Sequence, residues 1–169
     1  FDELVIGIPQ ESHGSNNVSG GLVHVLRGSS SGLTSTWDQR WWLGHSGLGG
    51  TVDDFENFGT AVAVADFDGD GYDDLAVGAP RNDHGLHESP GTVTVIFGSA
   101  WGLWGAGDQL WSQDSPGVAG AAESGDEFGA ALVAGDFDGD GYDDLAIGAP
   151  GEGVGSRNAA GAVNVLYGY

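Results

Sequence analysis

The sequence predicts an all-β fold assembled from repeated sheets of four short strands. Three observations carry that expectation. Nearly the whole chain repeats at an offset of about 70 residues, with Asp66 recurring as Asp136, and internal repetition marks stacked or radial architectures. Glycine makes up 33 of 169 residues and punctuates short apolar runs, the pattern of strands joined by tight turns. Helical periodicity is sustained nowhere over a useful length.

The strands of one repeat are labelled A to D. Strand A is expected over 58–65, where Phe58-Gly59 opens an apolar run that returns at Phe128-Gly129. Strand B is Leu75–Ala79, repeated from Leu145 and present earlier from Leu4. Strand C is Thr92–Phe97, with copies beginning at Leu22 and Ala162. Strand D falls at about 108–112, where Asp108-Gln109-Leu110-Trp111 matches Asp38-Gln39-Arg40-Trp41. Strands A and B are apolar on both faces and rich in Ala and Gly, which suits burial between neighbouring sheets at close approach. Strand C alternates Val93, Val95 and Phe97 with Thr92, Thr94 and Ile96. Strand D mixes Trp with polar residues, as an outer edge does. A four-stranded sheet repeated radially is a β-propeller blade. The strand order reads BCD, ABCD, ABC. This predicts a partial blade over 1–57, a complete blade over 58–127 and a partial blade over 128–169, with two sheet faces open.

Between strands A and B lie the most acidic stretches, Asp66-Phe67-Asp68-Gly69-Asp70-Gly71-Tyr72-Asp73-Asp74 and its copy from Asp136 to Asp144. Two like charges 4 Å apart cost about 1 kcal/mol in water and more at a protein surface. Five carboxylates in nine residues therefore require a cation. The spacing places Asp66, Asp68 and Asp70 at positions 1, 3 and 5, the Tyr72 carbonyl at 7 and Asp74 at 9. Asp136, Asp138, Asp140, Tyr142 and Asp144 take the same places. It is similar to the start of an EF-hand loop, but closes at position 9 and is flanked by strands. All-oxygen donors favour Ca²⁺ over Zn²⁺ or Cu²⁺, with Mg²⁺ the competitor. Two structural Ca²⁺ sites are expected. Asp73 and Asp143 are expected to face solvent. Phe1-Asp2-Glu3 aligns with the end of such a loop, lacks its first positions, and is expected to bind no metal strongly.

Composition excludes some functions. The net charge is −21, with four Arg and no Lys, so no basic face exists for nucleic acid. No apolar run approaches the roughly 20 residues of a membrane-spanning helix. Cysteine is absent, which removes disulfides and thiol nucleophiles.

The pairing of Phe58-Gly59 with Gly78-Ala79-Pro80, and of Phe128-Gly129 with Gly148-Ala149-Pro150, across an Asp-rich loop, resembles the FG-GAP repeat. Such repeats form the blades of the integrin α-subunit β-propeller and occur in many bacterial secreted proteins. The resemblance covers nearly the whole chain. It implies a seven-bladed propeller with calcium in the A–B loops, the remaining blades being supplied by the same or another chain. It also implies an extracellular or cell-surface module for recognition, adhesion or surface assembly, without enzymatic activity and with a protein or glycan ligand. The alternative is an accessory or catalytic propeller domain of a secreted polysaccharide- or lipid-acting enzyme.

His24 stands where Thr94 and Asn164 stand in the other copies and is expected on the surface. His84 and His87 with Glu88 are read as a solvated loop ahead of the alternative, a minor metal or ligand patch, and Asn17-Val18-Ser19 matches a glycosylation acceptor. Trp41 and Trp111 recur and are expected to pack. Trp42, Trp101 and Trp104 do not recur and are the candidates for a contact surface.

Overall fold

The structure is a computed structural model that describes residues 1–12, 19–50, 55–83 and 87–168. Ten strands form three antiparallel sheets. The first orders β1 (Leu4–Ile8), β2 (Leu22–Ser29) and β3 (Gly32–Trp41). The second orders β4 (Ala61–Ala65), β5 (Asp74–Ala79), β6 (Thr92–Phe97) and β7 (Trp104–Trp111). The third holds β8 (Ala131–Gly135), β9 (Asp144–Ala149) and β10 (Ala162–Leu166), with β9 central. No helix occurs among the described residues, and each sheet is a blade of the propeller class.

The repeat extends to register. Val23 pairs with Trp41 and Val93 with Trp111, and each C–D pair slips once, between Val25 and Arg27 and between Val95 and Phe97. The slip twists the outer edge of the blade.

Two strands differ from the sequence expectation. Strand A begins at Ala61, three residues late, because Phe58-Gly59-Thr60 is a turn whose amides leave the ladder. The Phe58 N–H donates to Gly20 of the first blade, while those of Gly59 and Thr60 converge on the Gly78 carbonyl. Strand D begins at Trp104, four residues early, since pairing resumes with Phe97 beyond the slip. Small and polar residues over 104–108 hide this from hydrophobic patterning.

The core lies between blades. Ile96, Leu75 and Val77 meet Val23, Val25, Trp41 and Leu103 on one side of the central sheet. Val93, Val95 and Ala76 meet Leu145 and Ile147 on the other. Both faces of β5 and β6 are thus buried, and even Thr92 and Thr94 lie inside. Each fully buried Val, Ile or Leu contributes about 1.5–3 kcal/mol.

Blades approach backbone to backbone at one point. A Cβ built on Gly78 would lie 2.0 Å from the Gly129 carbonyl oxygen, and one on Gly7 would lie 2.0 Å from that of Gly59. Gly59 and Gly129 themselves have φ of 91° and 90°, a region that L side chains avoid. The glycines of the two half-motifs are therefore each other's packing partners across neighbouring blades.

Candidate metal centre

Each acidic loop runs from an A strand to a B strand and is shaped by its own carboxylates. Asp66 accepts the Asp70 N–H at 3.1 Å and the Gly71 N–H at 2.9 Å, and Asp68 accepts the Asp70 N–H at 3.2 Å. Asp136 and Asp138 repeat these bonds to Asp140 and Gly141. Gly69 and Gly71 turn with φ of 70° and 90°, which lets the amides point inward.

One carboxylate oxygen from each of Asp66, Asp68 and Asp74 lies within 4.8 Å of the others, and Asp136, Asp138 and Asp144 do the same. Calcium binds oxygen at about 2.3–2.6 Å, so two ligands of one ion stand no more than about 5 Å apart. The donor sets fit that requirement and the hard-cation preference for oxygen.

The structure sorts the residues named from spacing. Asp66, Asp68 and Asp74 converge, as do Asp136, Asp138 and Asp144. Asp70 and Asp140 stand outside these trios; an oxygen of each accepts the N–H of Tyr72 or Tyr142, both at 2.9 Å. Asp73 is exposed and Asp143 half-buried. Glu3 reaches Arg27 at 3.7 Å. The Tyr142 ring carries a role that spacing could not show: it lies over Gly69, where an added Cβ would meet it at 2.3 Å, so the second loop rests on the first.

Asp74 and Asp144 are buried and double as struts. Asp74 accepts the Phe67 N–H at 2.9 Å and the Gly98 N–H at 2.7 Å, and Asp144 accepts those of Phe137 and Gly168 at 2.8 and 3.0 Å. Each ties the start of its loop to the end of its C strand. Burial pushes the Asp74 carboxyl up to about 6, with Asp68 and Asp66 adding to the rise and the two backbone amides opposing it. The folded, metal-free chain therefore holds this proton where the unfolded chain has lost it. By linkage, the stability that this proton confers is present below about pH 4 and fades as pH rises to about 6. Melting of EDTA-treated protein across pH 4–7 should show that decline, and Asp74→Asn should flatten it. An unchanged slope in the variant would assign the decline to other acids.

Other expectations are revised. His24 is half-buried and paired, with Nε2 2.6 Å from Asp38, rather than free on the surface. Trp41 packs in the core as expected. Trp42 is half-buried and stacks on His45 with ring centroids 3.6 Å apart. Trp101 and Trp104 are exposed, and so is Trp37, which sequence reasoning passed over. His84 and Asn17 lie outside the described residues.

A sequence model of the FG-GAP repeat matches residues 58–96 and 128–166. The chain is 38% identical over 114 residues to phosphatidylinositol-glycan-specific phospholipase D of Rattus norvegicus, covering 68% of this chain and 13% of that protein. Integrin alpha-3 of Mus musculus is 36% identical over 99 residues, covering 58% and 9%. Integrin alpha-5 of Xenopus laevis is 31% identical over 163 residues, covering 94% and 13%. The chain thus spans roughly a tenth of the relatives it matches.

Proposed function

Since the chain is an FG-GAP repeat protein built of β-propeller blades, we propose that it is a calcium-braced recognition module working outside the cell, without catalytic activity of its own. The observation that carries the calcium half is the twofold convergence of three carboxylates, held by backbone amides of their own loops. Asp66, Asp68 and Asp74 would hold one ion, and Asp136, Asp138 and Asp144 the other. Asp70, Asp140 and the carbonyls of Tyr72 and Tyr142 would complete the spheres. Extracellular calcium is abundant enough to fill even modest sites.

Recognition falls to exposed aromatics away from the loops. Trp37, Trp101 and Trp104 present large apolar faces with a polar edge, which suits a sugar ring or a protein hot spot. Blades over 1–57, 58–127 and 128–169 would combine with further blades, to seven by the family pattern. Integrin relatives favour adhesion. The phospholipase relative favours the second reading, a propeller domain that serves a lipid- or polysaccharide-acting enzyme.

Calcium-loaded protein should be screened on glycan and extracellular-protein arrays and, in parallel, for turnover of glycosylphosphatidylinositol and polysaccharide substrates. Saturable binding lost in Trp101→Ala/Trp104→Ala, without turnover, supports recognition. Turnover by the purified chain would overturn it.

A further inference from the structure

At the end remote from the acidic loops, the two blade interfaces share a backbone plan but differ in their polar groups. There the D–A connection leaving one blade meets the B–C connection of the next. At the first interface Leu43 sits in the core, and the buried Asn82 carboxamide is satisfied at both of its ends. It donates to Glu56 at 2.8 Å and accepts the Thr92 hydroxyl at 3.3 Å.

At the second interface the 70-residue offset puts Gln113 in the place of Leu43, Asp126 in that of Glu56, Glu152 in that of Asn82 and Ala162 in that of Thr92. A carboxylate facing an amide has become two carboxylates, and the hydroxyl donor is gone. Asp126 and Gln113 are each 2% exposed and Glu152 is 9% exposed. All four positions are filled at both interfaces, so the contrast is one of residue type.

The Gln113 carboxamide reports what the second interface lacks. Its Nε2 donates to Glu152 Oε2 at 2.5 Å, while its Oε1, on the same amide carbon, is buried with no hydrogen-bond partner. Asp126 spends one oxygen on the Glu123 N–H at 2.6 Å. Among the described residues no Arg or His pairs with Asp126 or Glu152; the ion pairs join Arg27 to Glu3, and His24 and Arg40 to Asp38. A buried charge without a partner and a buried acceptor without a donor both oppose folding. Gly120 leaves room beside the pair: a Cβ there would come within 3.0 Å of Gln113 Nε2 and 3.5 Å of Glu152 Oε2. Turning the amide over would bring its oxygen onto Glu152, which is unfavourable for the two oxygens alone and favourable around a cation.

We propose that Glu152, Gln113 and Asp126 form a third cation site, for a divalent oxygen-seeking ion such as Ca²⁺, between the second and third blades. Glu152 and the Gln113 carbonyl oxygen supply donors, and Asp126 supplies the second negative charge. Two carboxylates neutralise one divalent ion, and an all-oxygen set favours calcium over softer metals. The site is separate from the acidic loops: β9 runs from Asp144 to Ala149 between them, roughly 17 Å at 3.3 Å per residue. With fewer charges than the loops it should fill after them, at about 0.1–1 mM. The ion would join the D–A connection to the B–C connection of the third blade, a contact that Asn82 makes at the first interface without metal. The inference goes beyond the loop sites and does not depend on their holding calcium.

The test is a Ca²⁺ titration of the full chain at constant ionic strength, followed by ¹⁵N NMR. The Gln113 side-chain amide and the Gly151 amide, which donates to the Asp126 carbonyl, report the third site. The Gly71 and Gly141 amides, bonded to Asp66 and Asp136, report the loops. The loop amides should move first, and the Gln113 and Gly151 signals in a later saturable step. Glu152→Gln should abolish the later step and leave the first intact. Gln113→Leu/Asp126→Glu/Glu152→Asn/Ala162→Thr gives the second interface the residues of the first; it should fold, and its Gly151 amide should show no later step. Unmoved Gln113 and Gly151 signals, a single step shared with the loops, or an equal later step in the variants would overturn the site. Filling by Na⁺ to the same extent would overturn its assignment to a divalent ion. A later step with motionless loop amides would sink the loop sites and keep this one, whereas moving loop amides without it would sink this site alone.

Discussion

Gly78→Ala is expected to lower the melting midpoint by about 6–12 °C, while Gly148→Ala leaves it within about 2 °C. The two residues occupy the same place in their repeats, and neither has a positive φ, so intrinsic propensity treats them alike. Their surroundings differ. A Cβ at Gly78 would meet the Gly129 carbonyl oxygen at 2.0 Å and its carbon at 3.0 Å, both backbone atoms with no rotamer to yield. Relief requires the second and third blades to part along β4 and β8, loosening the core around Phe128 and Ile147. Overpacking of this kind costs about 3 kcal/mol, the upper part of the usual range, and 1 kcal/mol is worth about 2–4 °C at this size. At Gly148 the nearest atom is the Ala131 Cβ at 3.4 Å, an ordinary contact. There the reduced entropy of the unfolded chain offsets what little strain arises. Equal midpoints for the two variants, by calorimetry in excess calcium, would show that the blade contact is not limiting. Gly7→Ala, which faces Gly59 at the same distance, should resemble Gly78→Ala.

Chelation of calcium is expected to lower the midpoint by about 10–20 °C. An ion held at 100 times its dissociation constant stabilises the fold by about 2.7 kcal/mol; two sites give about 5 kcal/mol, and the size scaling above converts that to degrees. Without cations the trios Asp66, Asp68, Asp74 and Asp136, Asp138, Asp144 repel at short range in a chain already at −21. Two ions per chain should titrate calorimetrically, with Mg²⁺ restoring less stability because it gives up its waters reluctantly. The Tyr142 ring over Gly69 couples the loops. Asp144→Ala should therefore remove one site, weaken the other, and strand the Phe137 and Gly168 amides. A midpoint unmoved by EDTA would remove calcium from the account of this fold.

Much of this architecture was legible in the chain itself. The 70-residue offset, the bounds of β6 and the pairing of Asp-rich loops with flanking apolar strands follow from residue order, because alternation and turn chemistry act over a few residues. The start of β4 was not legible: Phe58 and Gly59 read as strand, yet their amides serve the neighbouring blade and the B strand. His24 looked like a tolerated surface substitution until Asp38 stood beside it, 14 residues away in sequence and one strand away in the sheet.

Residue types and spacing determined by themselves that this is an all-β repeat protein with two oxygen-rich loops, since both are local consequences of pattern and charge. Only the tertiary structure decided which carboxylates converge and which stand outside the trios. Only it showed that the motif glycines Gly7 and Gly78 pack against the blade opposite. Those distinctions depend on which atoms meet across blades 50 to 70 residues apart, and identical local sequence meets different neighbours there.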